Sequence, residues 1–171
     1  MLRPLPLLAA AALLLTSFSA AAATASEGPA APRYDDADAL KGQKTGKGVF
    51  LVNIGEAQKL ARYLKVIHGS HQGMAEQKVT PDFVVVFVGP GVQFLTTTPS
   101  AEVAGSPALK DVANTVEALR AAGIRMEICS VATAAMGVDN AKVLPGIKVV
   151  RDGFVSAIGY QAQGYGLVPV N

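Results

Sequence analysis

The stretch Phe83-Val84-Val85-Val86-Phe87-Val88-Gly89-Pro90-Gly91 decides the fold. An unbroken run of apolar, mostly β-branched residues has no polar face to give to water, so it reads as a strand buried on both sides, central in a parallel sheet. Gly89-Pro90-Gly91 ends the strand, and Thr80-Pro81-Asp82 before it predicts a turn.

Upstream, Val49-Phe50-Leu51-Val52-Asn53-Ile54 is a second compact run, read as a buried first strand that Gly55 closes. Residues Glu56 to Met74 then place Leu60, Tyr63, Leu64 and Ile67 on one helical face, with Lys59, Arg62 and Lys65 elsewhere. Downstream, Val92 to Ser106 predicts an irregular or short helical excursion. Pro107 fits the first position of a helix capped by Ser106, with Leu109, Val112, Val116 and Leu119 as its buried stripe and Ala122-Gly123 at its end. A third strand follows over Ile124 to Cys129, then a short light segment from Ser130 to Gly137. Leu144-Pro145-Gly146 turns into a fourth strand, Ile147 to Val150, and a last helix, Phe154 to Gln163, precedes the strand-like Leu167-Val168-Pro169-Val170. Short apolar runs alternating with helical patterns indicate β-α units around a parallel sheet.

The chain starts with Arg3, an apolar run from Leu7 to Leu15, and the small residues Ala20 to Ala25 before Ser26. This order predicts a secretory signal peptide cut after Ala25 or Ala23, hence a periplasmic or secreted protein. The run is short of the ~20 residues that span a bilayer, and no later run approaches that length, so no membrane insertion is expected once the signal is removed. Ser26 to Lys47, rich in Pro, Gly, Ala and charge, predicts a mobile lead-in. The expected organisation is a signal peptide over 1–25, an N-terminal segment over 26–47 and one domain over 48–171. Basic residues number 15 against 13 acidic, and Trp is absent. With no basic run and no aromatic residues interleaved with Lys or Arg, nucleic acid is not an expected partner.

Cys129 is the single cysteine, so no disulfide can form within the chain. It sits where an apolar strand meets a small-residue segment. If a helix starts just after it, the sulfur faces backbone N–H groups and the positive end of a helix dipole, which favour thiolate and make a nucleophile. The other reading is an inert core thiol, since free cysteine is among the most buried residue types. In open α/β sheets ligands bind beyond the carboxyl ends of the strands. Asn53, Gly89, Pro90, Gly91 and Ser130 all fall at such ends and are the candidate ligand-binding residues beside Cys129; a plain chain reversal is the competing account of the glycine turn. His68 and His71 have a spacing that could pair imidazoles, but no acidic or thiol partner is near and three or four ligands are normally needed, so no metal is expected. No serine-nucleophile elbow, Walker loop or dinucleotide fingerprint follows a strand, and no cofactor is expected.

Together Val88-Gly89-Pro90-Gly91-Val92, Glu127-Ile128-Cys129-Ser130-Val131-Ala132 ending in Gly137, Leu144-Pro145-Gly146-Ile147 and Gln161-Ala162-Gln163-Gly164-Tyr165 resemble the DsrE/DsrF-like family over residues 48 to 170. The resemblance implies a three-layer α/β/α domain on a five-stranded, mainly parallel sheet, assembled as a homotrimer or homohexamer. Some members are sulfur carriers, which implies Cys129 as the acceptor of sulfane sulfur, as a persulfide, and a sulfur donor or acceptor protein as partner. Beside this sulfurtransferase-like reading stands a non-catalytic oligomeric module of the same fold that binds a small ligand at the strand ends while Cys129 merely packs.

Overall fold

The structure, a computed structural model, describes residues 34–171. The expected signal peptide and the residues that follow it up to position 33 lie outside the described residues. A short helix, α1 (Ala37–Leu40), precedes β1 (Thr45–Val52), α2 (Ala57–Glu76), β2 (Thr80–Phe87), a 3-10 turn (Gly89–Phe94), α3 (Ala101–Ala104), α4 (Ala108–Ala121), β3 (Arg125–Cys129), α5 (Ser130–Ala135), a second 3-10 turn (Asn140–Lys142), β4 (Ile147–Val150), α6 (Gly153–Ala162) and β5 (Gly166–Val170).

The five strands form one parallel sheet in the order β4-β3-β2-β1-β5. The chain steps outward from β1 to β4 through α2, α4 and α5, then returns across the sheet through α6 to place β5 on the far side of β1. Crossovers in parallel sheets keep one hand, so reversing the direction of travel moves the connecting helix to the opposite face. This is the predicted three-layer α/β/α architecture.

The layers are unequal. On one face Phe50, Val52, Phe83, Val85, Phe87, Met126, Ile128 and Ile147 pack beneath Leu60, Leu64 and Ile67 of α2 and Val112, Val116 and Leu119 of α4. The other face holds a small cluster of Val49, Val84, Val86, Val88, Cys129 and Tyr165, with Leu51, Ala132 and Tyr160 at its margin. Its helix, α6, buries only Gly153 and Ala157.

Three expectations change. Thr80-Pro81-Asp82 is the start of β2 and not a turn. The Thr80 N–H donates to the Lys44 carbonyl on the β1 side, so the nitrogen of Pro81 faces the other edge, where β3 pairs only from Val84 onward. No ladder bond is lost there, which is the condition for proline in a strand. The first strand runs Thr45–Val52, beginning ahead of the expected Val49 and inside the expected lead-in, and ending before Asn53 and Ile54. Finally, Pro107 and not Ser106 is the N-cap of α4, and no side chain caps that helix.

Candidate functional site

Side chains alternate along a strand, so Arg125, Glu127 and Cys129 share one face of β3 while Met126 and Ile128 enter the large core on the other. Glu127 and Cys129 are 7 % and 5 % exposed. Cys129 is the N-cap of α5, yet its side chain makes no capping bond. The sulfur therefore belongs to the layer between the sheet and α6, not to the α5 amides that its sequence position suggested. Above it sits the start of α6: a Cβ added at Gly153 would lie 2.6 Å from Val88 Cγ1, 3.1 Å from Cys129 Cβ and 3.2 Å from Val86 Cγ1. Only a residue without a side chain lets the helix come this close.

The other strand-end candidates are only partly brought together. Asn53 is exposed at the end of β1 and lies against Gly89, whose φ of 62° any other residue would adopt with strain. Gly91 is buried and its Cα faces the Ile54 carbonyl, and Pro90 lies near Gly55. The glycine turn thus docks on the β1 end, and Val88 separates it from the thiol. Ser130 is committed elsewhere, its hydroxyl donating to the Arg151 carbonyl at 2.9 Å.

Beyond Glu127 the same face carries a polar cluster that sequence reading did not single out. Tyr160 of α6 donates to Glu127 Oε1 at 2.9 Å, leaving Glu127 Oε2 buried with no hydrogen-bond partner. Arg125 donates to Asp82 Oδ1 at 2.7 Å and to the Tyr165 hydroxyl at 2.5 Å, and that hydroxyl donates to Asp82 Oδ2 at 2.6 Å. The guanidinium carbon lies 5.4 and 5.5 Å from the ring centroids of Tyr160 and Tyr165, and the Lys47 ammonium 5.3 Å from that of Tyr165, distances at which cations are attracted to aromatic faces. Burial pulls the Asp82 carboxyl upward, but hydrogen bonds from Tyr165 and Arg125 and the charges of Arg125 and Lys47 outweigh it and hold it below its ordinary pKa. Burial, then bonding to Glu127 and Asp82 respectively, raises the Tyr160 and Tyr165 hydroxyls. The alternation Arg-Met-Glu-Ile-Cys was the signal that placed Glu127 beside the thiol.

A cleft of about 720 Å³ between α2 and α4, lined in part by Arg62, Lys65, Ser106 and Asp111, contains none of the strand-end candidates. A smaller one, about 410 Å³, is lined by Val150, Arg151, Asp152, Val155 and Ser156; Val150 is the register partner of Cys129. His71 packs edge-on against Phe83 at 5.6 Å, and burial, then the neighbouring His68, lowers its pKa. Among the described residues no three His, Cys, Asp or Glu side chains converge as a metal site.

The sequence family described as DsrE/DsrF-like matches residues 45–170. The fold is similar to that of MTH1491 from Methanobacterium thermoautotrophicum, a protein of unknown function, with a TM-score of 0.57 and 20 % identity over 72 % of this chain and 98 % of that one. It is also similar to the YchN protein of E. coli, with a TM-score of 0.55 and 15 % identity over 73 % of this chain and 99 % of the other. No curated protein matches the sequence.

Proposed function

Because the chain belongs to the DsrE/DsrF-like family, often linked to sulfur relay, we propose that it is an exported sulfur carrier that accepts sulfane sulfur on Cys129. The observation that carries this reading is the place of the only thiol: it ends β3 at the carboxyl edge of the sheet, against the first residue of α6, and its register partner Val150 lines the small cleft. In the transfer, the Cys129 thiolate attacks the outer sulfur of a persulfide R–S–SH. A new S–S bond forms Cys129–S–SH, the donor S–S bond breaks, and R–S⁻ leaves with the electron pair. An acceptor thiolate then repeats the displacement on the outer sulfur and releases the Cys129 thiolate. No resolving cysteine is required, and the chain has none. Incubation with a persulfide or polysulfide should add one sulfur to the intact mass, and Cys129→Ser should abolish the adduct. No adduct with either donor refutes the reading.

The 5 % exposure of Cys129 favours a second reading, the non-catalytic module in which the thiol only packs. It differs in outcome: Cys129→Ala would leave small-ligand retention unchanged, and no persulfide would form. For either reading we propose self-association through α6. Phe154, Val155 and Ile158 are 61–65 % exposed, and no charged residue occurs from Gly153 to Asn171; an exposed apolar patch of this kind marks an interaction surface. Export is proposed on the Leu7–Leu15 run and the alanines before Ser26, and mass analysis of the mature protein tests cleavage after Ala23 or Ala25.

A further inference from the structure

One short helix closes off two reactive side chains on β3. Glu127 and Cys129 lie two residues apart on the same strand face, about 7 Å along the strand, and both are more than nine-tenths buried under α6. Glu127 Oε2 lies in this layer without a partner, a costly state for a carboxylate oxygen removed from water.

The two ends of α6 are held unequally. Its far end is fastened by the Tyr160–Glu127 hydrogen bond and by the edge-on contact of Tyr160 with Tyr165 at 5.2 Å, with Arg125 over both rings. Its near end presses only Gly153 and Ala157 inward, which bring almost no side chain into the layer. The connection leading to it is tied by the Ser130 hydroxyl to the Arg151 carbonyl at 2.9 Å. The 410 Å³ cleft runs beside this lightly held end.

We propose that Arg151 to Ala157 forms a lid over Cys129, hinged at the Tyr160 cluster and latched by Ser130, and that the lid lifts in a protomer whose α6 is not covered by the self-association proposed above. Lifting it opens the thiol to a reagent from the cleft side and brings water to Glu127 Oε2. The lid's purpose, shielding a sulfur-loaded Cys129 between encounters, rests on the carrier reading; its existence does not, and its test uses no sulfur donor.

The test is the alkylation rate of Cys129 in the native full-length protein with a small thiol reagent, followed over urea concentrations below the unfolding transition and compared with the unfolded chain. The wild type should react far more slowly than the unfolded chain, at a rate insensitive to urea, as local opening requires. Ser130→Ala should raise the rate about fivefold, equivalent to the ~1 kcal/mol of one hydrogen bond. Val131→Ala, at an exposed position of α5 away from the latch, should leave it unchanged. The lid is refuted by a wild-type rate equal to that of the unfolded chain, by a rate that climbs with urea in step with global unfolding, by an unchanged rate in Ser130→Ala, or by acceleration in both variants. Confirmed gating without a sulfur adduct on donor treatment sinks the carrier reading alone.

Discussion

Replacing Gly153 by alanine tests the docking of α6 on the sheet more sharply than any other single change. The added Cβ meets Val88 Cγ1, Cys129 Cβ and Val86 Cγ1 at 2.6, 3.1 and 3.2 Å. These atoms belong to residues 4 %, 5 % and 0 % exposed and fixed to central strands, so none has room to retreat. Overpacking of this kind costs about 1–3 kcal/mol, against a helix-propensity gain of at most about 1 kcal/mol. A net loss of about 1–2 kcal/mol is expected. Gly159, on the same helix, is the control: a Cβ there meets nothing within 4 Å, so Gly159→Ala should gain about 0.5–1 kcal/mol from propensity alone. Urea unfolding followed by far-ultraviolet circular dichroism reads both. With a slope of about 1–3 kcal/mol per molar urea, the midpoints should move apart, down for Gly153→Ala and up for Gly159→Ala. Unchanged stability in Gly153→Ala, or equal shifts in both, would refute the close approach of α6 to β3.

The pH dependence follows from Asp82. Its folded pKa is held below the ordinary value of about 3.9, so its stabilisation is present above that value and lost as pH falls through the folded one. Asp82→Asn should therefore destabilise the protein at neutral pH, with the difference from wild type shrinking in acid; a constant gap between the two unfolding curves would contradict the assignment. At the alkaline end, the raised Tyr160 and Tyr165 hydroxyls predict stability lost above about pH 10, their ordinary pKa, and a shallower alkaline decline in Tyr160→Phe. Phe154→Glu with Ile158→Glu should reduce the assembled mass in sedimentation without loss of fold, because both side chains are more than 60 % exposed; an unchanged mass would remove α6 from the interface.

Strands buried on both faces announce themselves, because no polar residue can interrupt them. That is why Phe83–Val88 and Val49–Val52 are legible; β4, Ile147–Val150, is an edge strand with Lys148 exposed, and it is the Leu144-Pro145-Gly146 turn before it that marks its start. Pro81 was misread because its tolerance depends on a neighbour: β3 starts too late to need its N–H. Local sequence carries no record of where a partner strand begins. The cluster of Asp82, Arg125, Tyr160 and Tyr165 was hidden for a related reason. Its members come from β2, β3, α6 and the turn before β5, and the Asp82–Tyr165 bond joins positions 83 apart; chain topology brings them together, and no spacing encodes it.

Cys129 ends β3 as its sequence position implies, but its side chain lies in the layer under α6 and makes no bond to the α5 amides. Cys129 serves two elements at once: its backbone caps α5, while its side chain follows the pleat of β3. The pleat decides where the sulfur points, since Arg125, Glu127 and Cys129 must share a face whatever follows the strand. A helix starting at the next residue therefore says little about which N–H groups the sulfur meets. The controlling element is α6, distant in sequence, which reaches Cys129 because β4 returns the chain to the opposite face of the sheet. If this is right, changes at Ser130 and Gly153 will tune the thiol's reactivity more than changes at the exposed Val131 or Met136 around α5. Equal sensitivity of the alkylation rate to Val131→Ala and to Ser130→Ala would return control to α5.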